Sequence, residues 1–343
     1  MQTINEELKK DILQVIQEGI PFEPEPFKPL SEKLGITQEE LIENLKTLKE
    51  EKIIRQISPI YDTKVLGYDS SLVAFKSPKD KINETAKIIN EHPGVSHNYE
   101  RNNEFNIWFT VAVPPDSKIG LDKTVEILAK KSGVNDYAIL RSVKVYKIGV
   151  KLNFKGKSDE KEKVEKRDYK PKELSEKDKE IIRITQEDLP LVEKPFENYS
   201  KILNMKEEEL LKKLEEFKKE KIMRRFAAIL YHRKAGFKAN GMAVWNVPEE
   251  IVDEIGYTLS TYKAVSHCYT RTTNEKWKYN LFSMIHGTTK EEVEEIAGKM
   301  SKETGIKDYT ILYSTVEFKK QRIKYFTEDI YNWEKENEKY LNL

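Results

Sequence analysis

At 343 residues the chain is long enough for two or more domains, and 38% hydrophobic residues suffice for packed cores. Acidic and basic residues nearly cancel, 59 against 60, so no global basic field draws in nucleic acid. The single cysteine, Cys268, excludes an internal disulfide and a cysteine-built zinc site; the polar start and the lack of a long apolar run argue against a signal peptide or membrane span and make a cytoplasmic location the expectation.

In chain order, Leu8, Ile12, Leu13 and Ile16 recur at helical spacing and predict a first helix. After a Pro-containing loop come two short helices, Pro29–Leu34 and Gln38–Lys49, the second with Thr37 and Glu40 placed as a capping box. An apolar hairpin follows, which completes the layout of a winged helix-turn-helix. The pattern then changes to strand Asp69–Ser77, helix Lys81–Glu91, a strand pair across Ser96–Val113 turning at Asn102–Asn103, helix Ile119–Ser132 and strand Tyr137–Ile148. That β-α-β-β-α-β order is ferredoxin-like. Lys155–Lys179 is dense in Lys and Glu and reads as a solvated linker.

The same series then recurs. Ile181, Ile182 and Ile184 open a helix, Asn204 stands where Thr37 caps the first copy, and the ferredoxin-like elements fall near Gly241–Val247, Glu249–Thr261, Ser266–Ile285, Lys290–Thr304 and Tyr309–Lys324. Three matched blocks fix the correspondence. IIRQISPIYDTKVLGYDSSLVAFKSP from Ile53 parallels IMRRFAAILYHRKAGFKANGMAVWNVP from Ile222, GVSHNYER at Gly94 parallels AVSHCYTR at Ala264, and GVNDY at Gly133 parallels GIKDY at Gly305. The expected class is α+β: two tandem copies of winged helix plus ferredoxin-like domain. The expected boundaries are 1–67 and 68–150 for copy one, 151–177 for the linker, 178–235 and 236–324 for copy two, and 325–343 for a tail. Sheets with helices on one face leave the other free, so an internal pseudo-dimer is expected; whether it dimerises further stays open.

This layout resembles that of the leucine-responsive (Lrp/AsnC) regulators. The string RRFAAILYHRKAGFKANGMAVW, with VSHxYxR and the Asn and aromatic-rich strands after it, resembles a particular branch, the siroheme decarboxylases. Copy one resembles the other subunit type of that heteromeric family, so the chain reads as a fusion of both. The resemblance implies removal of the two acetate carboxyl groups, at C12 and C18, from siroheme, giving 12,18-didecarboxysiroheme and CO2 on the way to haem d1 or, by an alternative route, haem. It implies no organic cofactor, because the iron arrives with the substrate.

The chemistry asks for recognisable side chains. Loss of CO2 from a pyrrole acetate needs an electron sink, which protonation of the macrocycle supplies, and hence a general acid with a pKa near neutral. A ring carrying eight carboxylates asks for arginines. The expected catalytic pair is His232 and His267, with Arg224, Arg225, Tyr231, Arg233, Tyr269 and Arg271 binding substrate. His267, Tyr269 and Arg271 alternate along one strand and share a face. His267 is the expected axial ligand to the substrate iron, with His232 as the alternative. Copy one keeps His97, Tyr99 and Arg101 but has Gln56, Thr63 and Lys64 where copy two has Arg225, His232 and Arg233. It therefore offers either a second binding site or a structural half. His92 and His286 have no counterpart and are expected to carry no chemistry.

Two rivals share the scaffold. A DNA-binding Lrp/AsnC-type regulator would need a basic recognition helix, yet Glu39, Glu40 and Glu43 in one copy and Glu207, Glu208 and Glu209 in the other crowd the end that would meet phosphates. A non-catalytic haem-binding sensor would carry similar residues and differ only in turnover.

Overall fold

A computed structural model describes residues 5–148, 161, 170–231 and 239–342. The chain divides into two compact units, and neither is a single copy of the repeat. One gathers residues 1–68, 170–234 and 324–327; the other gathers 69–169, 235–323 and 328–343. Like parts have joined across the duplication: helix-turn-helix segments in one unit, ferredoxin-like segments in the other.

The helical unit begins with α1 (Glu6–Glu18), α2 (Phe27–Leu34), α3 (Gln38–Glu50) and β1 (Ile54–Tyr61). Copy two repeats them as α6 (Glu176–Thr185), α7 (Pro195–Ile202), α8 (Glu207–Lys219) and β6 (Met223–Leu230). Helix α3 carries the capping box read from the sequence: the Thr37 side chain accepts from the Glu40 N–H and the Glu40 carboxylate accepts from the Thr37 N–H. Each helix set buries one apolar stripe, with Leu41, Leu45 and Leu48 in copy one and Leu210, Leu214 and Phe217 in copy two.

Two expectations fail in this unit. Copy one forms no hairpin of its own. β1 instead pairs antiparallel with β6, Ser58 standing opposite Ala227. These two residues occupy matching places in the repeat, so the pairing is centred on the pseudo-two-fold. The reciprocity extends outward: the Ile20 N–H donates to Phe226 in β6, and the Leu189 N–H donates to Ile57 in β1. Nor does Asn204 cap α8. Its φ is +48°, in the left-handed region that Asn tolerates, and its N–H donates to the Lys201 carbonyl, so it ends α7. Lys206 precedes α8 without a side-chain cap.

The second unit holds β2 (Asp69–Phe75), α4 (Ile82–Asn90), β3 (Val95–Arg101), β4 (Ile107–Val113), α5 (Gly120–Ser132) and β5 (Tyr137–Ile148). Copy two supplies β7 (Ala239–Trp245), α9 (Val252–Ser260), β8 (Val265–Arg271), β9 (Leu281–Gly287), α10 (Lys290–Thr304) and β10 (Tyr309–Lys320). Together the strands close a barrel in the order β10-β3-β4-β2-β5-β8-β9-β7. Closure depends on the last strand of each copy. The first half of β5 pairs with β2 and its second half with β8 of the other copy; β10 pairs first with β7 and then with β3.

Alternation sorts the side chains into layers. Outward residues such as Val73, Phe109 and Val111 pack under α5, and Ala243, Trp245, Leu281 and Ile285 pack with residues of α10. Inward residues from both copies, among them Leu72, Trp108, Leu140, Val244, Phe282 and Leu312, form one shared cluster inside the barrel. No helix among the described residues is long and apolar enough to cross a membrane.

The tail has a structural role that its sequence left unstated. Helix α11 (Glu328–Asn337) lays Trp333 into the core of copy one, where its ring stands edge-on to His92 at 4.4 Å. His92 is fully buried; its Nδ1 accepts from the Gly94 N–H at 3.0 Å. Burial, helped by the charge of Lys319, pushes its pKa down to about 3. The unfolded chain binds this proton below pH ~6.5 and the folded chain excludes it, so stability is complete above that pH and declines as pH falls towards 3. An asparagine keeps the acceptor for Gly94 and cannot titrate. Urea unfolding of the full chain at pH ~7 and ~5 is expected to show a smaller loss on acidification in His92→Asn than in the parent.

Candidate functional site

The repeated Val-Ser-His segments lie in β3 and β8, and the register explains their geometry. Val95 stands opposite Val111 and His97 opposite Thr110; Val265 stands opposite Ile285 and His267 opposite Met284. In both places the pairing slips by one residue at the serine. A slip of this kind puts two successive side chains on one face. Ser96 and His97 therefore project together into the barrel, as do Ser266 and His267. The serine hydroxyl lies 2.9 Å from His97 Nδ1 in copy one and 2.7 Å from His267 Nδ1 in copy two.

Beyond the slip, alternation keeps the tyrosine and arginine on the same face. The His97 and Tyr99 rings stack at 6.2 Å, and the His267 and Tyr269 rings at 6.1 Å. The guanidinium of Arg101 lies over Tyr99 at 5.6 Å, and that of Arg271 over Tyr269 at 4.9 Å. The sequence-based face of His, Tyr and Arg is thus built twice, once per copy.

The arginines also have a second attachment, invisible in the sequence. Arg101 donates from Nη1 to the Leu312 carbonyl at 3.2 Å, and Arg271 from Nη1 to the Leu140 carbonyl at 3.0 Å. Each bond crosses from one copy to the other. Burial pulls both guanidinium groups down to about 10, which leaves them charged at neutral pH. The Nε of each is enclosed and has no hydrogen-bond partner among the described residues. A buried cation with an unmatched N–H is suited to an anionic group.

The two faces differ in their surroundings. Lys320 stands opposite His97 and Glu317 opposite Tyr99, whereas Ile148 stands opposite His267 and Val145 opposite Tyr269. Burial and the neighbouring Glu317 push Tyr99 up to about 12. In copy two the Ser266 hydroxyl also contacts His286 Nε2 at 2.6 Å, and His286 Nδ1 contacts Asn240 Oδ1 at 2.7 Å. His286, set aside from the sequence because it has no counterpart, is therefore linked to His267 through one hydroxyl.

The wing-derived candidates belong to the helical unit. Arg224 is engaged by the buried Asp62 carboxylate, with Nε at 2.8 Å and Nη2 at 2.7 Å from Oδ2. The other Asp62 oxygen accepts from the N–H groups of Lys64 and Val65, so the pair fastens the turn after β1. Arg225 and Tyr231 are exposed. Thr63, the counterpart of His232, shares a hydrogen bond with the Tyr325 hydroxyl at 2.6 Å. His232 and Arg233 lie outside the described residues. Among the described residues no cluster of three His, Cys, Asp or Glu could hold a metal ion.

Comparison with known proteins agrees with this division of the chain. The family described as the siroheme decarboxylase NirDL-like HTH domain matches residues 9–55 and 178–224; that described as the AsnC-like ligand binding domain matches 65–147 and 234–319. A siroheme decarboxylase of Hydrogenobacter thermophilus is 48% identical over 325 residues, which cover 95% of this chain and 97% of that protein. The siroheme decarboxylase beta subunit of Methanosarcina barkeri is 37% identical over 151 residues, 44% of this chain and 99% of that subunit. The crystal structure of the siroheme decarboxylase NirDL in co-complex with an iron-uroporphyrin III analogue has a TM-score of 0.79 and 43% identity, covering 97% of this chain and 99% of that one.

The cross-copy arginines generate an expectation for stability. Lysine keeps the charge but has neither the planar group that lies over tyrosine nor the forked donors. Arg271→Lys and Arg101→Lys are each expected to lower unfolding stability by about 1–3 kcal/mol, read from urea titration of the full chain.

Proposed function

Because the chain belongs to the siroheme decarboxylase family, we propose that it removes the C12 and C18 acetate carboxyl groups of siroheme and releases 12,18-didecarboxysiroheme and CO2. The observation that carries this reading is the near full-length likeness, at 48% identity, to a siroheme decarboxylase. At each acetate the bond to the carboxylate carbon breaks, its electron pair passes into the protonated macrocycle, and a proton finally occupies the vacated position on the methyl. One proton is consumed for each CO2 lost. The reaction then draws on no organic cofactor.

On this reading the chain's own groups hold the ring and supply the proton. His267 is the axial ligand to the substrate iron, with Tyr269 stacked beside it. Arg225, Arg233 and Tyr231 meet substrate carboxylates, and the unmatched Nε of Arg271 gives a further N–H for one. Arg224, held by Asp62, acts by positioning this segment. His232 is the acid, because an imidazole is the side chain that ordinarily exchanges its proton near neutral pH. The product then enters haem d1 or haem synthesis, and the work is cytoplasmic.

Anaerobic incubation with siroheme followed by mass analysis tests the reading, and loss of two CO2 is the expected result. His232→Ala is expected to lower turnover roughly 100-fold or more while siroheme stays bound. Thr63→Ala, at the matching place in copy one, is expected to have little effect on rate. Equal losses in the two variants would mean that the halves share the work.

The AsnC-like fold keeps a DNA-binding reading in view, and charge weighs against it. The first turn of α3 carries Glu39 and Glu40, and that of α8 carries Glu207, Glu208 and Glu209. These carboxylates would face phosphates. Mobility-shift assays with genomic fragments at physiological salt are expected to give no sequence-specific complex.

A further inference from the structure

We propose that Arg55, a residue of copy one, is a further substrate-binding residue whose guanidinium meets a carboxylate of siroheme beside Tyr231. The inference rests on the proposed function for the identity of the ring, and on the pseudo-two-fold of the helical unit for everything else.

The two-fold centred on Ser58 and Ala227 relates Arg55 to Arg224 and Asp62 to Tyr231. The backbone obeys it closely. Arg55 is the extra residue at a slip in β1, between Ile54 opposite Leu230 and Gln56 opposite Ile229. Arg224 is the extra residue at the equivalent slip in β6, between Met223 opposite Tyr61 and Arg225 opposite Ile60. Just beyond each strand the same main-chain bond recurs. The Asp62 N–H donates to the Ile222 carbonyl at 2.9 Å, and the Tyr231 N–H donates to the Ile53 carbonyl at 3.0 Å.

The side chains break this symmetry. At one end of the ribbon Arg224 is committed, with Nε and Nη2 both on the Asp62 carboxylate. At the other end Tyr231 stands where that carboxylate would be. Arg55 has no hydrogen-bond or ion-pair partner among the described residues. It is nevertheless half-buried. A guanidinium stays charged at any working pH, and partial burial removes water that something else must replace. Asp62 does this for Arg224; for Arg55 an anion from outside the chain fits the same place, held by the forked donors that suit a carboxylate.

The location agrees with that role. Tyr231 is 44% exposed and directly precedes His232, the proposed acid, so Arg55 stands at the base of the segment where substrate carboxylates are proposed to gather. The exchange of Asp62 for Tyr231 then has a reason. An aspartate there would pair Arg55 off and set a negative charge against a polycarboxylate ring. Copy one, which lacks the histidine at Thr63, contributes to the site of copy two through this arginine.

The test uses full-length protein, siroheme titration followed by absorbance, and urea unfolding without siroheme. Arg55→Gln is expected to weaken siroheme binding about 10- to 100-fold, the range for a charge-assisted hydrogen bond, and to unfold like the parent. Its affinity is also expected to fall less steeply with added salt, because one ionic contact is gone. Arg224→Gln is expected to show the opposite pattern in urea, a clear loss of stability, since it strands the buried Asp62. Parent-like binding and salt dependence in Arg55→Gln overturn the proposal, and so does a loss of urea stability in Arg55→Gln as large as that in Arg224→Gln. Binding is read without turnover. Siroheme held by the parent, loosened by Arg55→Gln, and never decarboxylated would sink the proposed function alone. Release of CO2 with binding indifferent to Arg55→Gln would sink this inference alone, and a parent that does not bind siroheme overturns both.

Discussion

Much of this molecule depends on two strands that are longer than their own copy requires. β5 and β10 each run for twelve residues. About half of each completes the sheet of its own copy, and the remainder pairs with β8 or β3 of the other. An open four-stranded sheet would present unpaired N–H and C=O groups at its edges. Here the overhang of one copy covers the edge of the other, reciprocally, and the barrel has no edge left. The strands brought under this cover are β3 and β8, which carry the Ser-His-Tyr-Arg faces. Each face is therefore held on one side by its own copy and on the other by its neighbour. Arg101 and Arg271 add a side-chain bond across the same boundaries. A half-chain would lack the second support, which gives a physical reason for keeping the two copies on one polypeptide: the partner strand is present at high effective concentration.

Duplication with exchange also places matched residues in unmatched settings. The strand opposite His97 and Tyr99 brings Lys320 and Glu317, whereas the strand opposite His267 and Tyr269 brings Ile148 and Val145. Each environment is thus written partly in the other copy's sequence. A charged neighbour alters the electrostatics of a histidine and tyrosine pair, while an apolar one adds no charge to it. The divergence reaches the helical unit, where Thr63 in place of a histidine is tied to the Tyr325 hydroxyl. That position in copy one now joins the turn after β1 to the segment after β10.

The elements of the fold were legible because their signals are local. Tyr137–Ile148 and Lys290–Thr304 have the ends that alternation and helical periodicity suggest, and the Thr37–Glu40 capping box forms as its spacing implies. Pairing was not legible. Residues 54–61 are apolar enough for one arm of a hairpin, but their partner lies some 170 residues away in β6, and no local pattern distinguishes the two cases. Asn204 illustrates a similar ambiguity. Asparagine suits both a helix N-cap and a left-handed residue ending the preceding helix, and only the backbone decides.

The candidate site was legible in what the copies share and hidden in what they do not. Matching the repeats exposes Val-Ser-His-x-Tyr-x-Arg at once, because chance does not write it twice in register. Its serine passed unnoticed, since in a regular strand Ser266 and His267 would point to opposite faces; the slip in pairing is what joins them. His286 was discounted for having no counterpart. Residues common to both copies build the shared face, and two of them, Arg101 and Arg271, also fasten one copy to the other. Differences between the copies enter through residues that only one possesses, and an unmatched histidine two hydrogen bonds from a matched one is such a residue.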